Sequence, residues 1–195
     1  MDYYHGTTVG ALTQLLPFAS AGSNLKEPLV YLTTNEQLAL HYIWDYERCS
    51  VKSPMLHIRE DGVIVFQEMY CNALEYLYKG LSGYIYRCAG KYETENNAGV
   101  PTCVTSKEPV KVIDCEFVED VYERILSYEK KGAFIYERYE KLPTWRHDLI
   151  RGHVIRWIKN GDWLHDKSSK DYKFFNEKWP KYLKEAEILH EHGIL

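Results

Sequence analysis

Several features that define common protein classes are missing from this sequence of 195 residues. No apolar run approaches the roughly 20 residues that a membrane-spanning helix needs, so we expect a soluble protein without membrane contact. The N-terminus lacks the character of a secretory signal peptide, and the cysteines are odd in number and follow no CxxC spacing. We therefore expect a cytoplasmic protein with reduced thiols. The five are Cys49, Cys71, Cys88, Cys103 and Cys115.

The signatures of several kinds of catalytic site are absent as well. There is no glycine-rich phosphate loop, no Ser-His-Asp order and no catalytic cysteine motif. Histidines such as His41 lack the spacing to cysteines or acids that metal sites use, so we predict that they are packed or solvated and that no metal is bound. The net charge is −4, without the basic excess of a nucleic-acid groove. A nucleic-acid partner is therefore open but not indicated.

What the sequence does contain is typical of a packed globular chain. It is 45% hydrophobic with only 7 Pro and 12 Gly, and its length suits one domain with an appended segment. Aromatic residues make up 14%, including 17 Tyr and 5 Trp. Tyrosine in this abundance indicates large amphipathic surfaces, either packed between layers or lining a pocket for a flat ligand.

The order of local patterns predicts an α+β fold. Strand patterns occupy 2–8, 29–34, 83–90, 103–106 and 110–118, and 54–66 reads as a hairpin with its turn at 60–62. Helical spacing occurs at 9–18, 35–47 and 67–81, and Thr33 with Glu36 has the spacing of a capping box. We therefore predict a domain over 1–118.

From Glu119 onward the pattern changes to helices with charged outer faces, at 120–131, 146–160 and 178–192. We predict that 119–195 is a helical C-terminal extension packed on the domain. Trp145, Trp157, Trp163 and Trp179 alternate with basic residues, which is compatible with nucleic-acid stacking. Packing against the domain is the favoured interpretation, because the helix over 146–160 carries one apolar stripe. That stripe consists of Ile150, Val154, Trp157 and Ile158.

Two aromatic motifs are the candidates for chemistry. In YHGTT, His5 is followed by Gly6 and Thr7 at a strand end, which places an imidazole beside a backbone that a ligand can approach closely. In VYLTTNEQLALHY, Tyr31 lies on a strand and Tyr42 on the helix that follows. Two such rings can clamp a pyridinium, which gains about 0.5 to 2 kcal/mol of cation–π attraction per face. Tyr42 is equally compatible with a core position.

Together, YHGT and VYLTTNEQLA resemble the ADP-ribosyltransferases of the diphtheria-toxin and poly-ADP-ribose polymerase group, especially the small bacterial rifampicin ADP-ribosyltransferases. SKEPVKVID at 106–114 resembles a strand entry of the rifampicin enzymes. The resemblance covers roughly residues 3 to 118 and implies a split β-sheet core that binds NAD as a substrate. It implies that His5 hydrogen-bonds NAD, that the Gly6 backbone holds the nicotinamide amide, and that Tyr31 stacks on nicotinamide. Tyr42 matches a second stacking tyrosine, and we assign Thr7 to the same NAD site.

The third residue of the family motif is an acid or Gln. The resemblance places it at Glu95, within GYIYRCAGKYETEN, with Glu93 as the fallback. Cleavage of the bond between nicotinamide and ribose passes through an oxocarbenium-like state, which a carboxylate near the sugar stabilises. Nicotinamide leaves as a neutral molecule, so neither a general acid nor a metal is required. His5, Tyr31 and Glu95 are thus the predicted catalytic set.

The expected activity is transfer of ADP-ribose from NAD to an acceptor that the sequence does not identify. A small molecule such as an antibiotic, a protein, a nucleic acid and water all stay open, and water would make the protein an NAD glycohydrolase. The alternative is a non-catalytic module that retained the fold and binds NAD, ADP-ribose or a protein partner. The oligomeric state is not indicated.

Overall fold

The computed structural model describes residues 1–19, 27–45, 55–92 and 102–194. This part of the chain forms a mixed α+β fold in which most strands precede most helices. The strands are β1 (Asp2–Thr7), β2 (Gln14–Leu15), β3 (Val30–Thr33), β4 (Met55–Ile58), β5 (Ile64–Gln67), β6 (Gly83–Ala89), β7 (Cys103–Ser106), β8 (Val110–Val118) and β9 (Phe134–Glu137). The helices are α1 (Glu36–His41), α2 (Ala73–Tyr78), α3 (Val121–Lys130), α4 (Thr144–Gly161), α5 (Lys170–Lys178) and α6 (Pro180–Glu191), with a 3₁₀ turn at Tyr139–Lys141.

The larger sheet is antiparallel and has the order β2-β8-β6-β1-β3-β7. Strand β1 pairs with β6 along its whole length, from Asp2 opposite Ala89 to Thr7 opposite Tyr84. On its other side, the ladder between β1 and β3 registers one pair, Tyr4 opposite Thr33, within the described residues. The sheet is therefore tightly joined on one side of β1 and only loosely joined on the other.

Both faces of this sheet are covered. One face carries a small apolar cluster of residues from β1, β2, β3, β6, β7 and β8, including Tyr3, Leu32 and the fully buried Tyr86. The other face lies under α1 and belongs to the main core, which continues through α2 and α3 into the C-terminal helices. Because alternate residues of a strand point to opposite faces, His5 shares a face with Tyr3, while Gly6 faces α1.

The smaller sheet has the order β4-β5-β9. Strands β4 and β5 form the predicted hairpin, whose turn includes Gly62 with a positive φ of 83°. Strand β9 lies parallel to β5, with Ile64 opposite Phe134 and Gln67 opposite Glu137. The prediction that only helices follow Glu119 was wrong here, because β9 completes a sheet that begins in the first half of the chain.

The helical interpretation of 9–18 was also wrong. That segment contains β2 and an irregular run in which Ala11 has a positive φ of 59°. The Tyr86 hydroxyl donates to the Val9 carbonyl at 3.0 Å and accepts from the Leu12 N–H at 3.2 Å. These long-range bonds use backbone groups that a helix would need for its own hydrogen bonds.

Helix boundaries differ from the prediction at two further points. Thr33 belongs to β3, and α1 is capped by Asn35, whose Oδ1 accepts from the Leu38 N–H at 3.1 Å. The segment predicted as a helix from Gln67 contains the end of β5 and then α2, which begins at Ala73. In both places, a residue predicted to cap or begin the helix belongs to the preceding strand.

The C-terminal helices pack on the main core. Ile150, Val154 and Ile158 of α4 are buried, as the predicted stripe requires. The Trp179 indole N–H donates to the Met69 carbonyl at 2.8 Å, in a buried bond between the C-terminal helices and the segment before α2. Trp157 and Trp163 also pack on this core, whereas Trp145 is 55% exposed, so the packing prediction was wrong for Trp145.

Candidate functional site

The predicted site residues His5 and Tyr31 lie where β1 and β3 part. The His5 Nδ1 atom is 2.9 Å from the Tyr31 carbonyl oxygen. A carbonyl oxygen only accepts, so Nδ1 carries the hydrogen and Nε2 keeps its lone pair. Burial lowers the pKa of His5, against a smaller opposing effect of this hydrogen bond, so the imidazole is neutral at neutral pH. The His5 side chain therefore links β1 to β3 in addition to the single registered pair of these strands.

Gly6 brings helix α1 directly against β1. A Cβ atom at this position would lie 1.8 Å from the Ala39 carbonyl oxygen, closer than any two such atoms can approach. From the motif alone, this glycine is predicted to let a ligand approach the backbone closely. In the structure, the backbone of α1 makes that close approach, and it fixes where the helix and its C-cap Tyr42 lie relative to β1 and β3.

Tyr42 follows α1 as its C-cap and is not a core residue. It is 48% exposed, whereas Leu38 and Ala39 of α1 and the following Ile43 are completely buried. Its hydroxyl end points inward, 3.9 Å from the Cys103 Sγ atom. Burial of that hydroxyl, the neighbouring Cys103 and then Tyr31 all raise the pKa of Tyr42. Tyr31 therefore lies near enough to Tyr42 to affect its pKa, and almost half of the Tyr42 surface is exposed.

Cys103 lies beside the Tyr42 hydroxyl, with Thr33 and Thr102 next to it. None of these three residues was predicted from the sequence as part of the site. Cys103 lies opposite Thr33 in the ladder between β7 and β3, and burial raises the pKa of its thiol. The Thr33 Oγ1 atom lies 3.1 Å from Thr102 Oγ1, and Thr33 also accepts from the Asn35 N–H at 3.0 Å. No motif marks these residues. Only the register of CVTS against VYLT brings them together.

Thr7, the third residue of the YHGTT motif, serves local structure. Its Oγ1 atom accepts from the Val9 N–H at 3.2 Å, which closes a turn directly after β1. In the ladder it lies opposite Tyr84 of β6, on the side of β1 away from β3. The Thr7 hydroxyl therefore lies apart from the place near α1 where Gly6, Tyr31 and Tyr42 come together.

The predicted acids Glu95 and Glu93 lie outside the described residues. Tyr92 and Thr102, the described residues that precede and follow these acids, both contact the larger sheet. Tyr92 packs edge-on against Tyr3 of β1 with ring centroids 4.9 Å apart, and Thr102 contacts Thr33 of β3. Tyr92 therefore lies beside β1, and Thr102 lies beside β3.

An open cleft of about 460 Å³ lies at the other end of α1. Burial and then the Glu36 carboxylate raise the pKa of both Tyr4 and Tyr128, so this acid lies near both phenols. The cleft is lined by polar side chains. Thr102 belongs to this lining and also contacts Thr33, which lies opposite Cys103 beside Tyr42. Its lining consists of Tyr4, Thr34, Asn35, Glu36, Gln37, Thr102 and Tyr128.

The described residues contain no group of three or more His, Cys, Asp or Glu side chains that could hold a metal ion. His41 packs between Phe66 and Phe134, as expected for a structural histidine. Among the helices of the described ranges, none is long and apolar enough to cross a membrane. Comparison with family models, with curated proteins and with solved structures finds no match to this chain.

Proposed function

We propose that this chain is an NAD-dependent ADP-ribosyltransferase whose core is the split β-sheet of that superfamily. The observation that carries the proposal is the meeting of residues chosen from distant motifs. His5 contacts the Tyr31 carbonyl at 2.9 Å, and Tyr31 in turn acts on the titration of Tyr42. The ladder between β1 and β3, which registers a single pair within the described residues, lies at the same place.

The nicotinamide ring of NAD would bind beside Tyr31 and Tyr42. Both residues are on the α1 side of the sheet, and Tyr42 keeps almost half of its surface open. The raised pKa of Tyr42 keeps its phenol neutral at neutral pH. Both aromatic rings offer a π face to the pyridinium cation. Gly6 contributes by letting α1 approach β1, which sets the position of Tyr42 relative to Tyr31.

His5 would orient a ribose hydroxyl of NAD. Its Nδ1–H is already used by the Tyr31 carbonyl, which leaves Nε2 as a hydrogen-bond acceptor. The lowered pKa keeps that lone pair available at neutral pH. A sugar hydroxyl can donate to it, whereas a second acceptor would be repelled. His5 is thus suited to positioning and has no role as an acid.

The chemical step is cleavage of the C–N bond between ribose and nicotinamide, which leaves with the bonding electron pair as a neutral molecule. Positive charge then develops on the ribose, and the Glu95 carboxylate is the group we assign to stabilise it. A nucleophilic oxygen or nitrogen of the acceptor forms the new bond to the same carbon and loses its proton. The acceptor is a small molecule, a protein, a nucleic acid or water.

Nicotinamide release from NAD tests the catalytic part of this proposal. We expect Glu95→Gln to reduce the rate by about 100-fold or more, since that is the typical effect of removing one group that stabilises transition-state charge. Glu93→Gln tests the fallback position, and Glu108→Gln is the matched control on an exposed residue. Release should be measured with and without cell lysate as a source of acceptors. A rate unchanged in both Glu95→Gln and Glu93→Gln would contradict the proposed chemistry.

Calorimetric titration with NAD separates binding from catalysis. We expect Tyr42→Ala and Tyr31→Ala to weaken NAD binding, whereas Tyr42→Phe retains the stacking ring and should bind NAD nearly as the unsubstituted protein does. Saturable binding that depends on both tyrosines, without nicotinamide release under any condition, would replace the enzyme by the non-catalytic binding module. Absence of NAD binding by the unsubstituted, folded protein would overturn both the enzyme and an NAD-binding module.

A further inference from the structure

The polar cleft at the N-terminal end of α1 contains none of the residues proposed to bind NAD. Three side chains of its lining come from three different elements: Tyr4 from β1, Glu36 from α1 and Tyr128 from α3. Both tyrosines also pack on the main core, so their rings are held in place beside the cleft. The Leu38 N–H donates to the cap residue Asn35, which fixes the backbone that carries Glu36. The cleft is therefore built from anchored residues.

Glu36 supplies the negative charge of this cleft. After burial, its carboxylate is the largest cause of the raised pKa of both Tyr4 and Tyr128, so it lies near both phenols. Glu36 is partly buried and, in the part of the chain that the structure describes, it has no ion pair. A carboxylate that is partly withdrawn from water is stabilised by a cation that donates hydrogen bonds to it. The cleft therefore favours a positively charged ligand.

Two arginines close to the tyrosines of the cleft do not cancel this charge. Arg87 lies near the first tyrosine and forms ion pairs with two acids of the larger sheet. Arg124 lies near the second tyrosine and forms an ion pair with Glu116. Both guanidinium groups are thus already neutralised by other carboxylates. The charge of Glu36 is left for a ligand.

Elsewhere in the same chain, a tyrosine and a glutamate hold an arginine. The Arg138 guanidinium lies 4.2 Å from the centroid of the Tyr136 ring, and it donates to both carboxylate oxygens of Glu129, at 2.9 and 3.2 Å. The cleft offers the same two kinds of group with a second ring, and no arginine belongs to its lining among the described residues. One of its rings, Tyr128, already has the Lys131 ammonium 5.7 Å from its centroid. These contacts indicate which chemistry the cleft can bind.

We propose that this cleft binds a guanidinium group, with Glu36 as its counter-ion and the rings of Tyr4 and Tyr128 as its aromatic contacts. A guanidinium ion is planar, so it can stack on a ring and also donate two parallel hydrogen bonds to one carboxylate. An ammonium is a more strongly hydrated point charge, and a quaternary ammonium has no N–H to donate. The cleft volume of about 460 Å³ also leaves room for the molecule that carries the group. That carrier is an arginine of a peptide or a small guanidine compound.

Titration with N-acetylargininamide, followed by the NMR signals of the backbone amides, tests the site directly. We expect saturable shifts at Gln37 and Thr102, which line the cleft, with a dissociation constant in the millimolar range that suits one small group in an open cleft. N-acetylcitrullinamide has nearly the same shape without the charge and should give no saturable shift. N-acetyl-lysinamide should bind more weakly than the arginine compound. Equal binding of either comparison compound, or no saturable shift with arginine, would overturn the proposal.

Substitutions in the lining test which groups hold the cation. Glu36→Gln retains the size of the side chain and should weaken binding by about tenfold or more, because a charge-assisted hydrogen bond is lost. Glu60→Gln, at an exposed residue, is the matched control and should bind as the unsubstituted protein does. Tyr128→Leu removes one ring but keeps an apolar side chain on the core, and it should weaken binding by about threefold. Circular dichroism checks that all variants are folded. Binding unaffected by Glu36→Gln would contradict the proposed site.

A pentapeptide of glycines with one central arginine distinguishes the two carriers. Tighter binding of this peptide than of N-acetylargininamide assigns the guanidinium to an arginine of a peptide chain whose backbone also contacts the cleft, whereas equal affinities assign it to a small guanidine compound. None of these titrations contains NAD. Failure of the guanidinium site would therefore leave the proposed ADP-ribosyl transfer untouched, and absence of that transfer would leave the guanidinium site untouched.

Discussion

His41 should make the folded protein sensitive to mild acid. It is the last residue of α1, is buried, and lies between the rings of Phe66 and Phe134 at centroid distances of 6.2 and 5.6 Å. Its Nδ1–H donates to the Gln37 carbonyl at 3.0 Å, and its Nε2 atom has no hydrogen-bond partner among the described residues. Protonation would place a cation in an apolar site. Burial accordingly lowers the pKa of His41 to about 4.

The sign of the effect follows from the two states. Above the ordinary pKa of 6.5, His41 is neutral in both, and its contribution to stability is complete. Between pH 6.5 and about 4, the unfolded chain binds a proton that the folded chain excludes, so stability falls as the pH falls. At roughly 1.4 kcal/mol per pH unit the whole window amounts to roughly 3 kcal/mol. About 2 kcal/mol of this is lost between pH 7 and pH 4.5.

Urea unfolding at pH 7 and at pH 4.5 measures this loss. His41→Phe retains a ring between the two phenylalanines and cannot be protonated. Its free energy of unfolding should therefore fall by about 2 kcal/mol less on acidification than that of the unsubstituted protein. His57→Phe, at an exposed position of β4, is the control and should behave as the unsubstituted protein does. Equal losses for the unsubstituted protein and His41→Phe would refute the reasoning.

Two further substitutions test how the core is built. Gly6→Ala should destabilise the protein by about 1–3 kcal/mol or more in urea unfolding, because its Cβ would meet the Ala39 carbonyl oxygen at 1.8 Å; an unchanged midpoint would show that α1 moves freely. Phe175→Ala should cost about 3–5 kcal/mol, because this ring is completely buried against Trp163 and Trp179, and the loss should appear in a single transition shared by fluorescence and circular dichroism. Separate transitions for the two probes would contradict a core shared by both halves.

The sequence predicted those elements whose pattern is local. The β4–β5 hairpin has alternating arms and a turn with Gly62, and both signals act over a few residues. The segment 9–18 misled because its leucine spacing is helical, while Tyr86, more than seventy residues away, binds its backbone. Strand β9 is short, and it pairs with β5, which is far from it in sequence, so no local pattern predicts the pairing.

The candidate site also combines residues that local motifs predicted with residues that only non-local pairing brings in. His5 and Tyr31 stand out through their motifs, and the structure places the imidazole against the Tyr31 carbonyl. Cys103 belongs to the same neighbourhood only through the register of β7 on β3, which a single sequence does not specify. Tyr42 carried two interpretations with equal support. The structure speaks against the core position, because Tyr42 is the C-cap of α1 and is 48% exposed, and the stacking role stays a prediction.

The bond from the Trp179 indole to the Met69 carbonyl joins residues 110 positions apart. It has a consequence for synthesis on the ribosome. Until α5 and α6 have left the exit tunnel, the main-core residues from the first half of the nascent chain lack the helices that bury them. Strand β5 likewise has no β9 to pair with until β9 has been made. Contacts of such long sequence separation form late. The protein should therefore complete the folding of this core only after α6 has left the exit tunnel, and chaperone binding to shorter nascent chains is the expected sign.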